Sequence, residues 1–279
     1  MKERMERRWS QLTRQDVQML ADTTPVERYS RTGLSGGPYM PPFTEKLVGK
    51  EFTVRLDCGD SFRYHFSGIH ALTWEKNAEG VHEEYAEALE LPGEPDIYLV
   101  QYYCRKSVPP MAHTLVLDFR SGLATVCIAR AGVLAEAPRE IRREFFFGIL
   151  EGYADTGARH GFTEELVGTA ISWTYRDGVT IKHIYTAPKY YTYQMTDEAG
   201  RCWVASNPAD YLKIREQVYV FSFLEERQAG TQGFFLINRA NLHDVGAFFG
   251  IQAHGMECCM VGAKGTLAEP YAWEWCEGR

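Results

Sequence analysis

Three residues of this chain are of a type, and in a setting, suited to moving protons. His183 stands in the run Ile181-Lys-His-Ile-Tyr185, and alternate residues of an extended strand share a face. It therefore shares a face with Ile181 and Tyr185, the aromatic-rich side expected to turn inward. An interior imidazole can act as general base near neutral pH, or serve as a hydrogen-bonded core histidine. Glu75 follows Trp74, and a carboxylate inside an apolar enclosure would have its pKa raised into a range useful for proton transfer. At a rim facing water it would do neither. Glu225 ends the apolar run from Val218 to Leu224 and alternates onto the face of Tyr219, Phe221 and Phe223, which makes it the interior residue rather than Glu226. Around these three, Tyr64, Trp74, Tyr98, Tyr185, Tyr193 and Tyr219 are the aromatic side chains expected to hold a substrate.

Other motifs carry less. His82-Glu-Glu84 lacks a second His at i+4 or a Cys partner and reads as a solvated strand edge. Cys258-Cys259 reads as two buried thiols rather than half of a zinc site. There is no GxxxxGK(S/T) phosphate loop and no GxSxG elbow. The chemistry expected is thus acid–base, with no metal and no cofactor.

Composition narrows the partners. The 279 residues carry a net charge of −7, and the basic groups around Lys2–Arg8 and Arg139–Arg143 are interrupted by acids, which argues against nucleic acid. No apolar run approaches the ~20 residues of a membrane span, and no secretion signal is visible at the start. Seven cysteines without a CxxC pair read as reduced thiols, hence a cytoplasmic protein.

The elements that would position these residues come from an internal duplication. Phe43-Thr-Glu-Lys-Leu-Val-Gly49 recurs as Phe162-Thr-Glu-Glu-Leu-Val-Gly168, 119 residues later. The same shift aligns Phe62-Arg-Tyr-His-Phe66 with Ile181-Lys-His-Ile-Tyr185, and Leu115-Val-Leu-Asp-Phe-Arg120 with Phe234-Phe-Leu-Ile-Asn-Arg239. One strand, Asp96 to Val100 against Gln217 to Phe221, needs 121. Each unit reads as seven or eight short antiparallel strands, at 51–57, 61–67, 70–76, 84–91, 97–105, 113–119 and 123–130, with partners at 170–176, 179–186, 190–196, 201–206, 217–225, 232–238 and 242–249. Strands following one another as meanders favour closed barrels, which have no edges. An amphipathic N-terminal helix carrying Trp9, Leu12, Val17 and Leu20 precedes them. The expected divisions are residues 1–42 as helix and irregular lead-in, 43–132 as first barrel, 133–161 as linker, and 162–279 as second barrel with a tail. In the linker, the run Phe145-Phe-Phe147 suits strand or helix equally.

The order and content of the repeats resemble the MoaF family, named for molybdenum cofactor biosynthesis. In the first unit the resemblance rests on Leu47-Val-Gly-Lys50, Leu72-Thr-Trp-Glu75, Ile97-Tyr98 and Leu115-Val-Leu-Asp118. In the second it rests on Leu166-Val-Gly168, Trp173-Thr-Tyr175, His183-Ile-Tyr185, Tyr191-Thr-Tyr193, Asp210-Tyr-Leu-Lys213, Val218-Tyr-Val-Phe221 and Phe249-Gly250. The stretch from Arg201 to Pro208 departs from the family pattern, and the tail after Gly262 has no match in it. The resemblance implies a mainly β protein of two tandem lipocalin-like (calycin) barrels, in agreement with the duplication.

The expected function is a metal-independent small-molecule enzyme of lyase, decarboxylase, isomerase or cyclase type, in which Glu75, His183 and Glu225 exchange protons on an aromatic or conjugated metabolite. The alternative is a binding protein carrying a small apolar ligand unchanged. A third reading, barrels filled by their own side chains, also stands. The N-terminal helix and the Trp-rich tail are candidate contacts of a homodimer.

Overall fold

The computed structural model describes residues 12–24, 34–196, 199–225, 230–252 and 255–270. The chain opens with helix α1 (Arg14–Thr23), started by a reciprocal cap in which Thr13 and Asp16 each bond the other's backbone amide. Trp9 of the expected helix lies outside the described residues. Eight strands then follow as a meander: β1 (Glu51–Leu56), β2 (Ser61–Phe66), β3 (Ala71–Lys76), β4 (Glu79–Glu90), β5 (Ile97–Cys104), β6 (Met111–Asp118), β7 (Leu123–Arg130) and β8 (Arg142–Leu150). Pairing of β8 with β1, Val54 opposite Leu150, closes the first barrel.

A short β9 (Gly161–Phe162) leads into the second unit, β10 (Ala170–Arg176), β11 (Val179–Ala187), β12 (Tyr190–Thr196), β13 (Cys202–Arg215), β14 (Val218–Glu225), β15 (Thr231–Asn238), β16 (His243–Gln252) and β17 (Gly255–Ala268). Here β10 pairs with β17 and β12 with β13, so eight antiparallel strands again form a closed ring, with β9 alongside β13. The mainly β, two-barrel architecture is as expected. The eighth strand of each barrel is the difference. Residues 142–150, inside the expected linker, are β8, and β17 spans Gly255–Ala268, its last six residues coming from the expected tail after Gly262. Phe146 packs inward while Phe145 and Phe147 face the other barrel, so both sides of β8 are apolar and no alternation announces a strand.

Inside each barrel lies an aromatic core: Phe62, Tyr64, Phe66, Trp74, Tyr98 and Tyr102 in the first, and Trp173, Tyr175, Tyr185, Tyr191, Tyr211 and Phe221 among others in the second. A third core joins the two. Leu89, Leu99 and Val116 on the outside of the first barrel pack against Val220, Leu236 and Val245 on the outside of the second. All eight residues of β5 and of β15 are buried for that reason. Arg215 bridges this interface to the fully buried Asp118 at 2.7 Å and to Glu94 at 3.1 Å, and Arg143 reaches Asp210 at 2.8 Å. Helix α1 lays Val17 and Ala21 against Tyr103, Ala129, Phe249 and Ile251, so its apolar face is covered within the chain. No helix among the described residues is long and apolar enough to cross a membrane. Cys202 is disulfide-bonded, so the expectation of wholly reduced thiols is not met there.

Candidate active site in the second barrel

The second barrel encloses a cavity of about 520 Å³. Its apolar walls include Ile181, Phe223, Phe235 and Phe248, with Tyr191 and Tyr193 stacked at 5.9 Å between ring centres. Two glycines leave room for these rings. A side chain at Gly233 would run into Phe223, and one at Gly246 into Phe235.

Polar groups from several strands also reach this space. His183 on β11 sits among Tyr191, Tyr185 and Phe221, and its Nδ1 has no hydrogen-bond partner among the described residues. Burial lowers its pKa to about 3, which keeps the imidazole neutral. Glu225 ends β14 and accepts a hydrogen bond from Asn207 Nδ2 at 3.1 Å; the same nitrogen lies 3.4 Å from the Tyr191 hydroxyl. Opposite Glu225 on β15, Thr231 donates to Glu257 of β17 at 3.1 Å. Trp203 donates to the Tyr193 hydroxyl at 3.3 Å, and Arg176 and Arg201 complete the charged part of the lining. The cavity thus joins an apolar aromatic interior to two carboxylates, Glu225 and Glu257, and two guanidinium groups.

Of the nine residues expected from the sequence, His183, Glu225 and Tyr193 line this cavity. Tyr185 is buried just beside it, its hydroxyl 3.5 Å from Trp173 Nε1. Tyr219 also points inward, but its hydroxyl donates to Glu165 at 2.7 Å away from the cavity lining. Tyr64, Trp74 and Tyr98 belong to the interior of the first barrel, so the six aromatic residues divide between two enclosures and do not form one site. Glu75 requires correction. It alternates onto the outer face of β3, opposite Arg63 on β2, and pairs with that guanidinium at 3.2 Å. The neighbouring Trp74 takes the inward position, which sends Glu75 out.

The first barrel has polar interior groups of its own, on other strands. His113, not singled out in the sequence, is buried against Phe62 and Trp74, with Nδ1 2.7 Å from the Tyr102 hydroxyl. Burial lowers its pKa to about 3. Ladder register makes Gly233 its counterpart, at an offset of 120 rather than 119 on this hairpin. Asp118 and Asn238 are then equivalent, and each caps its turn by accepting backbone amides. Likewise Cys104 and Glu225 coincide, and Glu84 and Asn207 coincide. An interior histidine and a carboxylate near the barrel mouth thus occur in both barrels but on non-equivalent strands, His113 on β6 and Glu84 on β4 in the first, His183 on β11 and Glu225 on β14 in the second. Missed residues of the second site, such as Asn207 and Glu257, lie on strands that the sequence pattern ended early or did not show.

Among the described residues no three His, Cys, Asp or Glu side chains gather as a metal site requires.

Comparison with known proteins follows the same division. Residues 32–132 match the MoaF N-terminal domain and residues 160–269 match the MoaF C-terminal domain. Protein MoaF of Klebsiella aerogenes is 28% identical over 108 residues, 39% of this chain and 40% of that protein, so the alignment spans less than half of the relative. A crystal structure of a Burkholderia vietnamiensis protein, provisionally named a beta-lactamase, matches 37% of this chain and 95% of its own at 12% identity and a TM-score of 0.32. The two domain matches fall in order on the two barrels, and the chain belongs to the MoaF family.

Proposed function

We propose that the second barrel binds a small, planar, conjugated metabolite and transfers a proton on it. The observation that carries this reading is His183, a neutral imidazole whose Nδ1 has no partner among the described residues, in the wall of an aromatic cavity that also contains Glu225. A cavity of about 520 Å³ suits a ligand of one or two rings. Its apolar walls bury the ring system, while His183 orients a polar substituent by hydrogen bonding. Glu225 acts as the base, held by Asn207. The reaction class is lyase or isomerase chemistry by acid–base catalysis. Once a substrate is found among dialysed, ligand-free protein incubated with conjugated acids and ketones, Glu225→Gln is expected to lower kcat at least ~100-fold with the fold retained, which a circular dichroism spectrum checks. Unchanged kcat in that variant overturns the assignment.

A second reading is a carrier that holds its ligand unchanged. It is favoured by the internal pairing of Tyr193 with Trp203 and of Thr231 with Glu257, which shapes the pocket without any bound molecule. Mass spectrometry of a ligand recovered intact after prolonged incubation supports the carrier, and a changed mass or isomer supports the enzyme.

A further inference from the structure

Behind the cavity wall lies Asp244, on β16, with no exposed surface. Its polar neighbours are the hydroxyl of Tyr175, whose ring lines the cavity, and the backbone amide of Ala263, yet among the described residues neither carboxyl oxygen of Asp244 nor the Tyr175 hydroxyl is held in a formed hydrogen bond, so three buried polar atoms stand unsatisfied together. Among the described residues it makes no ion pair. An ionised carboxylate without a cation is strongly disfavoured in such a place, so the group is held as a neutral acid and can donate a hydrogen bond. Burial raises the Asp244 pKa well above the carboxylate range, in keeping with that geometry.

The first barrel shows what the fold uses when this pair is not needed. Ladder register places Ala124 at the Asp244 position, and the repeat offset places Leu56 at that of Tyr175. Both are interior residues of the first core. The hydroxyl and the acid are thus both present in one barrel and both replaced by apolar side chains in the other. Core packing alone has no use for a buried acid, because an alanine fills the equivalent place in a closed barrel of the same topology.

We infer that Tyr175 and Asp244 form an oxyanion-binding pair for the second-barrel cavity, and that its ligand is a carbonyl compound whose oxygen gains negative charge in the reaction. This rests on the reading of the second barrel as the active one and names its substrate class. Glu225 takes a proton from the carbon next to the carbonyl. The C–H electron pair becomes the new C=C bond, and the C=O pair moves onto oxygen. That oxygen accepts a hydrogen bond from the Tyr175 hydroxyl, whose own oxygen accepts one from protonated Asp244. Return of the proton from Glu225 to the far end of the conjugated system gives the isomer, and no oxidant, reductant or second reactant is consumed. Tyr175 touches the ligand, and Asp244 acts through it as a positioning residue.

The test uses 4-nitrophenol, whose ionised oxygen resembles an enolate and whose absorbance reports its charge, bound to the full chain and titrated with pH. Tyr175→Phe is expected to raise the pKa of the bound probe by about one unit, a tenfold loss of the ionised form at a given pH. Asp244→Ala, which installs the first barrel's own residue, is expected to do the same. Asp244→Asn, which keeps a donor, should restore most of the effect, and the double change of Tyr175→Phe with Asp244→Ala should add nothing. Thermal melts identify any variant that has lost its fold, and a purely structural Asp244 would move the melt without moving the probe. If 4-nitrophenol binds and its pKa is the same in wild type, Tyr175→Phe and Asp244→Ala, the oxyanion pair is wrong and the cavity remains a binding site. If wild-type protein does not bind the probe at all, the reading of the second barrel falls and this inference with it.

Discussion

At the scale of single residues, position relative to the strand face decides chemistry. Glu75 and Glu225 are both glutamates at the edge of apolar strands, yet one faces water beside Arg63 and the other faces a cavity. Arg63 is more than half exposed, and such pairs contribute little. Glu75→Gln is therefore expected to change stability by under ~1 kcal/mol and to leave ligand binding unchanged, as urea titration and a binding isotherm would show. His183 gives the contrasting case. Its folded pKa of about 3 lies below the ordinary value of 6.5, so the unfolded chain binds the proton more readily, and stability falls as pH drops from 6.5 toward 3. His113 and His160, lowered to about 3 and about 4 by burial, act in the same direction. Asp244 acts in the opposite one, because its raised pKa stabilises the fold at low pH and that contribution fades as pH rises. The clean measurement is a difference. Between pH 7 and pH 5, wild type should lose about 2 kcal/mol more of unfolding free energy than His183→Gln. Parallel pH profiles for the two proteins would contradict a neutral buried His183.

At the scale of elements, the strands facing the other barrel carry charges that cannot stand alone. Asp118 ends β6 with no exposed surface and has Arg215 of β13 as its ion-pair partner, at 2.7 Å. Arg215→Leu leaves that carboxylate uncompensated in the interface and is expected to cost about 3–5 kcal/mol, whereas Lys46→Ala, which breaks a more exposed pair with Glu90, should cost under ~1 kcal/mol. Denaturation midpoints of the two variants measure the contrast, and equal small effects would show that Asp118 finds another partner. The same interface explains which strands were legible in the sequence. Strands β1 to β3 alternate because one side meets water, and their expected bounds differ from the observed ones by at most one residue. Strand β8 is covered on both sides, and β17 is rich in Gly, Cys and Met, so neither carries a period of two.

At the scale of the whole molecule, the two barrels are joined by a continuous apolar layer with Leu99 and Val116 on one side and Val220 and Leu236 on the other. Separating them exposes that layer to water. Residues 160–279 produced alone are expected to aggregate or to remain soluble only with detergent, while the full chain stays dispersed; light scattering of the two at equal concentration is the check. A monodisperse, folded half would mean that the interface adds orientation but little stability.

The sequence by itself determined the duplication, the meander of antiparallel strands and the inward faces of β2, β11 and β14, because period-two alternation and repeat spacing are local properties of the chain. It therefore placed His183 and Glu225 on interior faces without any tertiary knowledge. Only the tertiary structure decided that, of the second-barrel residues, His183, Glu225 and Tyr193 line one cavity while the Tyr219 hydroxyl turns to Glu165. It alone set which strands carry the interior histidine and carboxylate of each barrel, and the approach of Asp244 to Tyr175 across β17. Those relations depend on how each ring closes and on its register, and both are fixed by strand pairs far apart in the chain.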